Sequence, residues 1–155
     1  MENESGALSR VSGLFSARGY NIESLSVAPT QDQSLSRMTI VTSGSDEVIE
    51  QIIKQLNKLI DVVKVLDLHD GDHIERELVL VKLKANGRHR DEVQQLSNNF
   101  GGRIIDSSEN ILTIEFTATS TELDNYLKSF NDSLIIEIVR TGASGIGRGD
   151  RILKI

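Results

Sequence analysis

Glu2-Asn3-Glu4-Ser5-Gly6-Ala7-Leu8-Ser9-Arg10, followed further on by Gly19-Tyr20-Asn21-Ile22-Glu23-Ser24-Leu25, decides how the first half of the chain is organised. Ala7, Leu8, Val11, Leu14, Phe15 and Arg18 recur at helical spacing, and Gly19 ends that helix where a left-handed residue is needed. Ser5 is placed to cap the helix, and Gly6 lets a ligand approach its first turn, whose N–H groups have no intrahelical partner. Such a helix start attracts carboxylates and phosphates. Asn3 before the helix and Asn21 after it each offer a carbonyl acceptor and an amide donor without net charge, which suits a small zwitterion. Taken alone, a glycine at a helix start most often marks only a well-started helix.

Working outward, a strand is expected from about Asn21 to Ala28, closed by Pro29 and the polar loop Thr30 to Ser34, with a return strand from Leu35 to Thr42. Ser45-Asp46 opens a second helix that carries Val48, Ile49, Ile52, Ile53, Leu56 and Leu59 on one face, and Val62 to Leu68 reads as a further strand. Asp67 to His73 is rich in turn residues and reads as a linker. The second half has a strand from about Glu75 to Lys84, a helix from Arg90 to Phe100 ended by Gly101-Gly102, and strands near Arg103 to Asp106 and Ile111 to Thr117. In the last of these, Leu112, Ile114 and Phe116 alternate with Thr113, Glu115 and Thr117, the pattern of a half-buried strand. Ser120 is placed to cap a final helix with Leu123, Tyr126, Leu127 and Phe130, and Leu134 to Arg140 closes the unit.

The order strand-helix-strand-strand-helix-strand is ferredoxin-like, with both helices on one face of an antiparallel sheet. The expected fold is therefore α+β with two βαββαβ domains, residues 1–68 and 74–155, the first without its opening strand. Sheets of this kind keep free edges and one uncovered face, and pairing with a second copy covers them, so a homodimer is expected.

With 155 residues, 38% hydrophobic and 26% charged residues and a single proline, the composition is that of a soluble globular protein. Aromatics make up 4% and tryptophan is absent, so the core must be aliphatic. A net charge of −6 argues against a general nucleic-acid surface, which needs clustered Lys and Arg. Without cysteine, disulfides, thiolate catalysis and cysteine-based zinc sites are excluded. The sequence has no apolar run of membrane-spanning length and no signal-peptide pattern at its start, so a cytoplasmic location is expected.

The continuous run Glu2 to Ala28, with Leu35-Ser36-Arg37-Met38-Thr39-Ile40 after it, resembles the ACT domain of the small, regulatory subunits of acetohydroxyacid synthase, also called acetolactate synthase. Members of that family carry an apolar strand just before the position of Glu2, so the expectation here is a truncated start rather than a natural three-stranded sheet. The resemblance implies that valine, as feedback inhibitor, binds where two ACT domains meet. Its carboxylate would meet the N–H groups of Gly6, Ala7 and Leu8, and its ammonium the side-chain oxygens of Asn3 and Asn21, the latter from a partner chain. Leu8, Ile22 and Ala28 are the implied apolar walls, and changes at Gly6, Ser9, Asn3, Asn21 or Ala28 would relieve inhibition. The resemblance also implies a separate catalytic large subunit that carries thiamine diphosphate, Mg and FAD, none of them bound by this chain. It leaves open an ACT-type sensor subunit or regulator answering to another amino acid.

Rival sites are weaker. Gly142-Ala143-Ser144-Gly145-Ile146-Gly147-Arg148-Gly149-Asp150 evokes a phosphate loop but leads into no helix, and reads as a mobile tail. His69-Asp70-Gly71-Asp72-His73 offers metal-type ligands without further partners, and His89 belongs to a polar run, so no metal site is expected. No nucleophile-base pair marks a catalytic site. RNA binding on this fold would need aromatic platforms and a basic face, and an acylphosphatase-like site would rest on Arg103 and Asn110 alone.

Overall fold

The computed structural model describes residues 1–153. They form two compact units, one of Met1–Ile74 together with the segment from Ala143 onward, the other Glu75–Gly142. The fold is α+β with ferredoxin-like sheets. None of the described helices is long and apolar enough to cross a membrane.

In the first unit, helix α1 (Ala7–Ala17) is followed by the antiparallel strands β1 (Ser24–Pro29) and β2 (Ser36–Val41) and by helix α2 (Asp46–Leu56). Val11 and Phe15 of α1 and Ile52 and Leu56 of α2 are buried together, with Met38 and Ile40 of β2 packed against them. Residues of β2 alternate between faces, so Arg37 and Thr39, with their partners Ala28 and Ser26 on β1, face away from the helices. Ahead of α1, Glu2 forms an antiparallel bridge with Leu35 and donates its N–H to the Asp61 carbonyl at 2.8 Å. Among the described residues the chain from Val62 to Leu68 joins no strand ladder, although Val62 and Val65 do pack on the core. Its apolar pattern is that of a strand, but only a neighbouring backbone makes one.

The second unit runs β3 (His73–Lys84, which begins in the first unit), α3 (Arg88–Asn99), β4 (Arg103–Ser107), β5 (Ile111–Ala118), α4 (Ser120–Lys128) and β6 (Ile135–Arg140), with strands in the order β4-β5-β3-β6. Val79, Val81 and Leu83 of β3 stand opposite Phe116, Ile114 and Leu112 of β5, and this buried face packs against Val93 of α3 and Leu123 and Tyr126 of α4. The cap of α4 is Thr119, not Ser120: Thr119 and Glu122 form a reciprocal capping box, and Ser120 instead donates to Glu77 at 2.8 Å. Phe100, Phe116 and Phe130 surround Tyr126, with ring centroids at 5.3, 4.6 and 4.9 Å. The Tyr126 hydroxyl donates to Ser97 Oγ at 3.3 Å, and Ser97 Oγ donates to the Val93 carbonyl at 2.7 Å. Tyr126→Phe keeps the ring packing and the Ser97 bond to Val93, so a loss of about 0.5–1.5 kcal/mol is expected. Urea unfolding would then show a lower midpoint at unchanged slope.

The glycine-rich segment read as a mobile tail is ordered. It forms a short strand β7 (Ser144–Gly147) and lies on the helix-free face of β1 and β2. The Gly145 N–H donates to Thr39 Oγ1 at 3.2 Å, Arg37 Nη2 donates to the Gly145 carbonyl at 3.3 Å, and Ser144 Oγ meets Ser26 Oγ at 3.0 Å. A Cβ at position 145 would run into Leu68 Cδ1, so glycine serves close approach here rather than freedom.

Candidate functional site

Gly6 is itself the N-cap of α1, at φ 88°, and the Ser5 side chain makes no capping hydrogen bond. The left-handed turn is natural for glycine and turns the start of the helix toward solvent. The Ala7 N–H folds back on the Glu4 carbonyl at 3.2 Å, and the Ala7 side chain is buried. Among the described residues the N–H groups of Gly6, Leu8 and Ser9 meet no acceptor, which leaves three donors at the positive end of the helix dipole.

A cation stands beside them that sequence reasoning passed over. Arg10 Nε and Nη2 grip both oxygens of Asp61 at 2.5 and 2.6 Å, and Nη1 lies 3.2 Å from where a Cβ on Gly6 would be. Asp61 is buried at 3% exposure, and the guanidinium holds its carboxyl below the usual carboxylate range while the carboxylate pushes Arg10 up. Such forked pairs fix geometry as well as charge. Spacing on α1 could have placed Arg10 one turn from Gly6, but nothing local to Asp61 announces a partner 51 residues away.

Asn3 joins this end of the unit. Its Oδ1 accepts from Ser36 Oγ at 3.1 Å and its Nδ2 donates to the Gln33 carbonyl at 2.9 Å, so it also fastens the β1–β2 turn. Leu8, at 40% exposure, and Ser9 lie on the open surface of α1. Asn21 sits at the other end of the hairpin, where its carbonyl accepts from Thr42 Oγ1 at 2.6 Å. At about 3.3 Å per residue, the strand between Ser36 and Thr42 separates the two asparagines of one chain by roughly 20 Å. Ile22 packs into the core on the helix side. Ala28 faces the opposite side and lines a groove of about 710 Å³ with Ser26, Ser36, Arg37, Thr39 and Lys64. One chain thus brings together Asn3 and Gly6 to Ser9, and holds Asn21, Ile22 and Ala28 elsewhere.

Residues 1–64 match the family model described as "AHAS small subunit-like ACT domain", and residues 76–149 match "Small subunit of acetolactate synthase". The chain belongs to the acetolactate synthase small-subunit family. It is 54% identical to the acetolactate synthase isozyme 3 small subunit of Escherichia coli, over 99% of this chain and 95% of that one. A probable acetolactate synthase small subunit of Methanothermobacter thermautotrophicus is 44% identical over 99% of this chain and 92% of its own length. The crystal structure of the acetolactate synthase small subunit from Thermotoga maritima superposes with a TM-score of 0.88 at 35% identity, over 96% of this chain and 93% of that one. Within this family frame, the described residues hold no cluster of three or more His, Asp or Glu side chains able to bind a metal ion.

Proposed function

We propose that this chain is the regulatory subunit of a cytoplasmic acetolactate synthase, which activates a catalytic large subunit and confers feedback inhibition by valine. Thiamine diphosphate, Mg and FAD belong to the catalytic partner in this reading. The observation that carries it is the start of α1, where a left-handed Gly6 leaves three N–H donors without acceptors and Arg10, its Nε and Nη2 held by Asp61, turns Nη1 toward Gly6 as a further donor. A carboxylate is the natural occupant of such a place.

In the proposed site the valine carboxylate meets the N–H groups of Gly6 and Leu8, with Ala7 and Ser9 completing the turn. Asn3 supplies an oxygen to the ammonium, since its Oδ1 keeps a second lone pair beside the Ser36 bond. Asn21 of the same chain is too distant to help, which favours a homodimer in which a partner chain brings its own Asn21, with Ile22 behind it, to the site. Leu8 offers an apolar wall. Ala28 acts from the opposite sheet face, where a larger side chain would press on the groove beneath the hairpin. Because a ligand shifts an equilibrium only by its differential affinity for two states, valine must favour the less activating state of the complex.

The test is a calorimetric titration of the chain with valine, against leucine, alanine and threonine, followed by acetolactate synthesis by the large subunit with and without this chain. Saturable binding that prefers valine, and activation that valine reverses, are the expected results. Leucine should bind detectably but less well, because one methylene changes affinity by only about 1–3 kcal/mol. Saturable binding of threonine or alanine instead would point to a sensor for another amino acid, and failure to activate the large subunit would overturn the regulatory reading.

A further inference from the structure

The helix-free face of β1 and β2 carries a second collection of hydrogen-bond donors. Arg37 and Thr39 of β2 line the groove on that face, together with Lys64 from the extended segment after α2. Arg37 Nη2 donates to the Gly145 carbonyl at 3.3 Å, and the rest of the guanidinium meets no acceptor among the described residues. Neither Arg37 nor Lys64 forms an ion pair among those residues. Thr39 Oγ1 accepts from the Gly145 N–H at 3.2 Å, which leaves its own O–H to donate. Ser26 and Ser144 share a single hydrogen bond at 3.0 Å, so one of their two hydroxyl protons is left over.

Acceptors are scarce by comparison. Asp32 is the one carboxylate among the lining residues, and its Oδ1 is turned into its own loop, where it accepts from the Ser34 hydroxyl at 2.7 Å and the Ser34 N–H at 2.9 Å. Three large apolar side chains are exposed at the same place, Val63 at 39%, Ile146 at 57% and Ile152 at 52%. Singly they would be ordinary surface residues; gathered on one groove they form a wall for an aliphatic body. At about 710 Å³ the groove has the size of a small-molecule site.

A surface of donors with few acceptors selects a ligand made of acceptors. In a 2-oxo acid the carboxylate and the neighbouring carbonyl supply acceptor oxygens and no donor. An amino acid would bring an ammonium whose N–H groups find nothing to receive them. We propose that this groove is a second binding site, for a short-chain 2-oxo acid, in which Arg37 and Lys64 hold the carboxylate, Thr39 donates to the 2-oxo oxygen and Val63, Ile146 and Ile152 cover the aliphatic tail. None of these side chains belongs to the valine site proposed above, so either site can fail alone.

The test is calorimetry on the full chain with 3-methyl-2-oxobutanoate, which is valine with a carbonyl in place of its ammonium, and with inorganic phosphate as a plain anion. Saturable binding of the oxo acid is expected, weakened by about ten-fold or more in Arg37→Gln, which keeps an amide N–H for the Gly145 carbonyl. Lys64→Gln, at an exposed position, should weaken it as well, and both variants are checked for an unchanged thermal melt. In Gly6→Asp the oxo acid should bind as in the parent. No saturable binding, affinity untouched by both groove variants, or phosphate binding as tightly as the oxo acid would overturn the proposal. So would loss of oxo-acid binding in Gly6→Asp, because the acid would then be using the start of α1. Oxo-acid binding that follows Arg37 and Lys64, in a parent chain that does not bind valine, would support the groove and defeat the effector site alone.

Discussion

Gly6→Asp is expected to lower valine affinity at the proposed site by about 100-fold or more, a change of at least about 2.7 kcal/mol, and to leave folding and the proposed self-association unchanged. Three effects act together. Position 6 sits at φ 88°, where a side chain costs about 1–2 kcal/mol, although aspartate tolerates the left-handed region better than most residues. The new carboxylate occupies the place proposed for the effector's own carboxylate, in front of the same N–H groups. It also stands beside Arg10 Nη1, 3.2 Å from the Cβ position, and competes with Asp61 for the guanidinium. Gly6→Ala carries the backbone strain without the charge, so comparing the two variants by calorimetry separates strain from occupation. A Gly6→Asp chain that still binds valine with unchanged affinity would sink the site assignment.

Glu77→Gln should destabilise the second unit by about 2–3 kcal/mol, less than the roughly 3–5 kcal/mol typical of breaking a fully buried ion pair, because the Arg140 side chain is 35% exposed and keeps Asp124. The Glu77 carboxylate accepts four hydrogen bonds, two from Arg140 at 2.9 Å, one from Ser120 at 2.8 Å and one from the Gly142 N–H at 3.2 Å. An amide offers one acceptor oxygen and turns two donors toward a guanidinium. The Arg140 hydrogen bonds, ahead of those from Ser120 and Gly142, hold the Glu77 carboxyl below its usual range against the opposing effect of burial. Its contribution is therefore fully present above the ordinary glutamate value of about 4.3, and is lost as pH falls through the lower folded value. Urea unfolding at about pH 7 should separate parent and variant, and the gap should narrow below about pH 4. A gap independent of pH would mean that packing, not the charge, is what the substitution removes.

Much of the architecture was legible because it depends on local periodicity. Leu112, Ile114 and Phe116 alternate in sequence and are 1%, 0% and 8% exposed in β5, and Gly19, read as a helix stop, has φ 68°. What escaped reading depends on partners distant in sequence. Val62 to Leu68 carries the residues of a strand, yet the pattern cannot say which backbone lies alongside. Thr119 and Ser120 are equivalent as caps by residue type, and Ser120 was drawn away by Glu77, 43 positions earlier. Glycine shows the same limit. At Gly142 to Gly149 its frequency suggests freedom, while Gly145 is small so that Leu68 can approach. Within the site, the helix start and Asn3 could be read from their neighbourhood, whereas Arg10 gripping Asp61 and the separation of Asn3 from Asn21 needed three dimensions.

The return of the chain from Ala143 onward to the first unit makes the Glu75–Gly142 unit an insertion: both its entry and its exit are tethered to the same host. A chain cut after Gly142 would therefore keep every residue of the inserted unit and damage the host, stripping Gly145 from Thr39 and Arg37, and Arg151 from the Asp67 and Leu68 carbonyls. A lesion beyond Gly142 would thus have its first structural effect on the amino-terminal unit of the protein. Loop closure across Ile74 and Ala143 is the converse: it would excise the inserted unit and leave a host whose sheet is still covered.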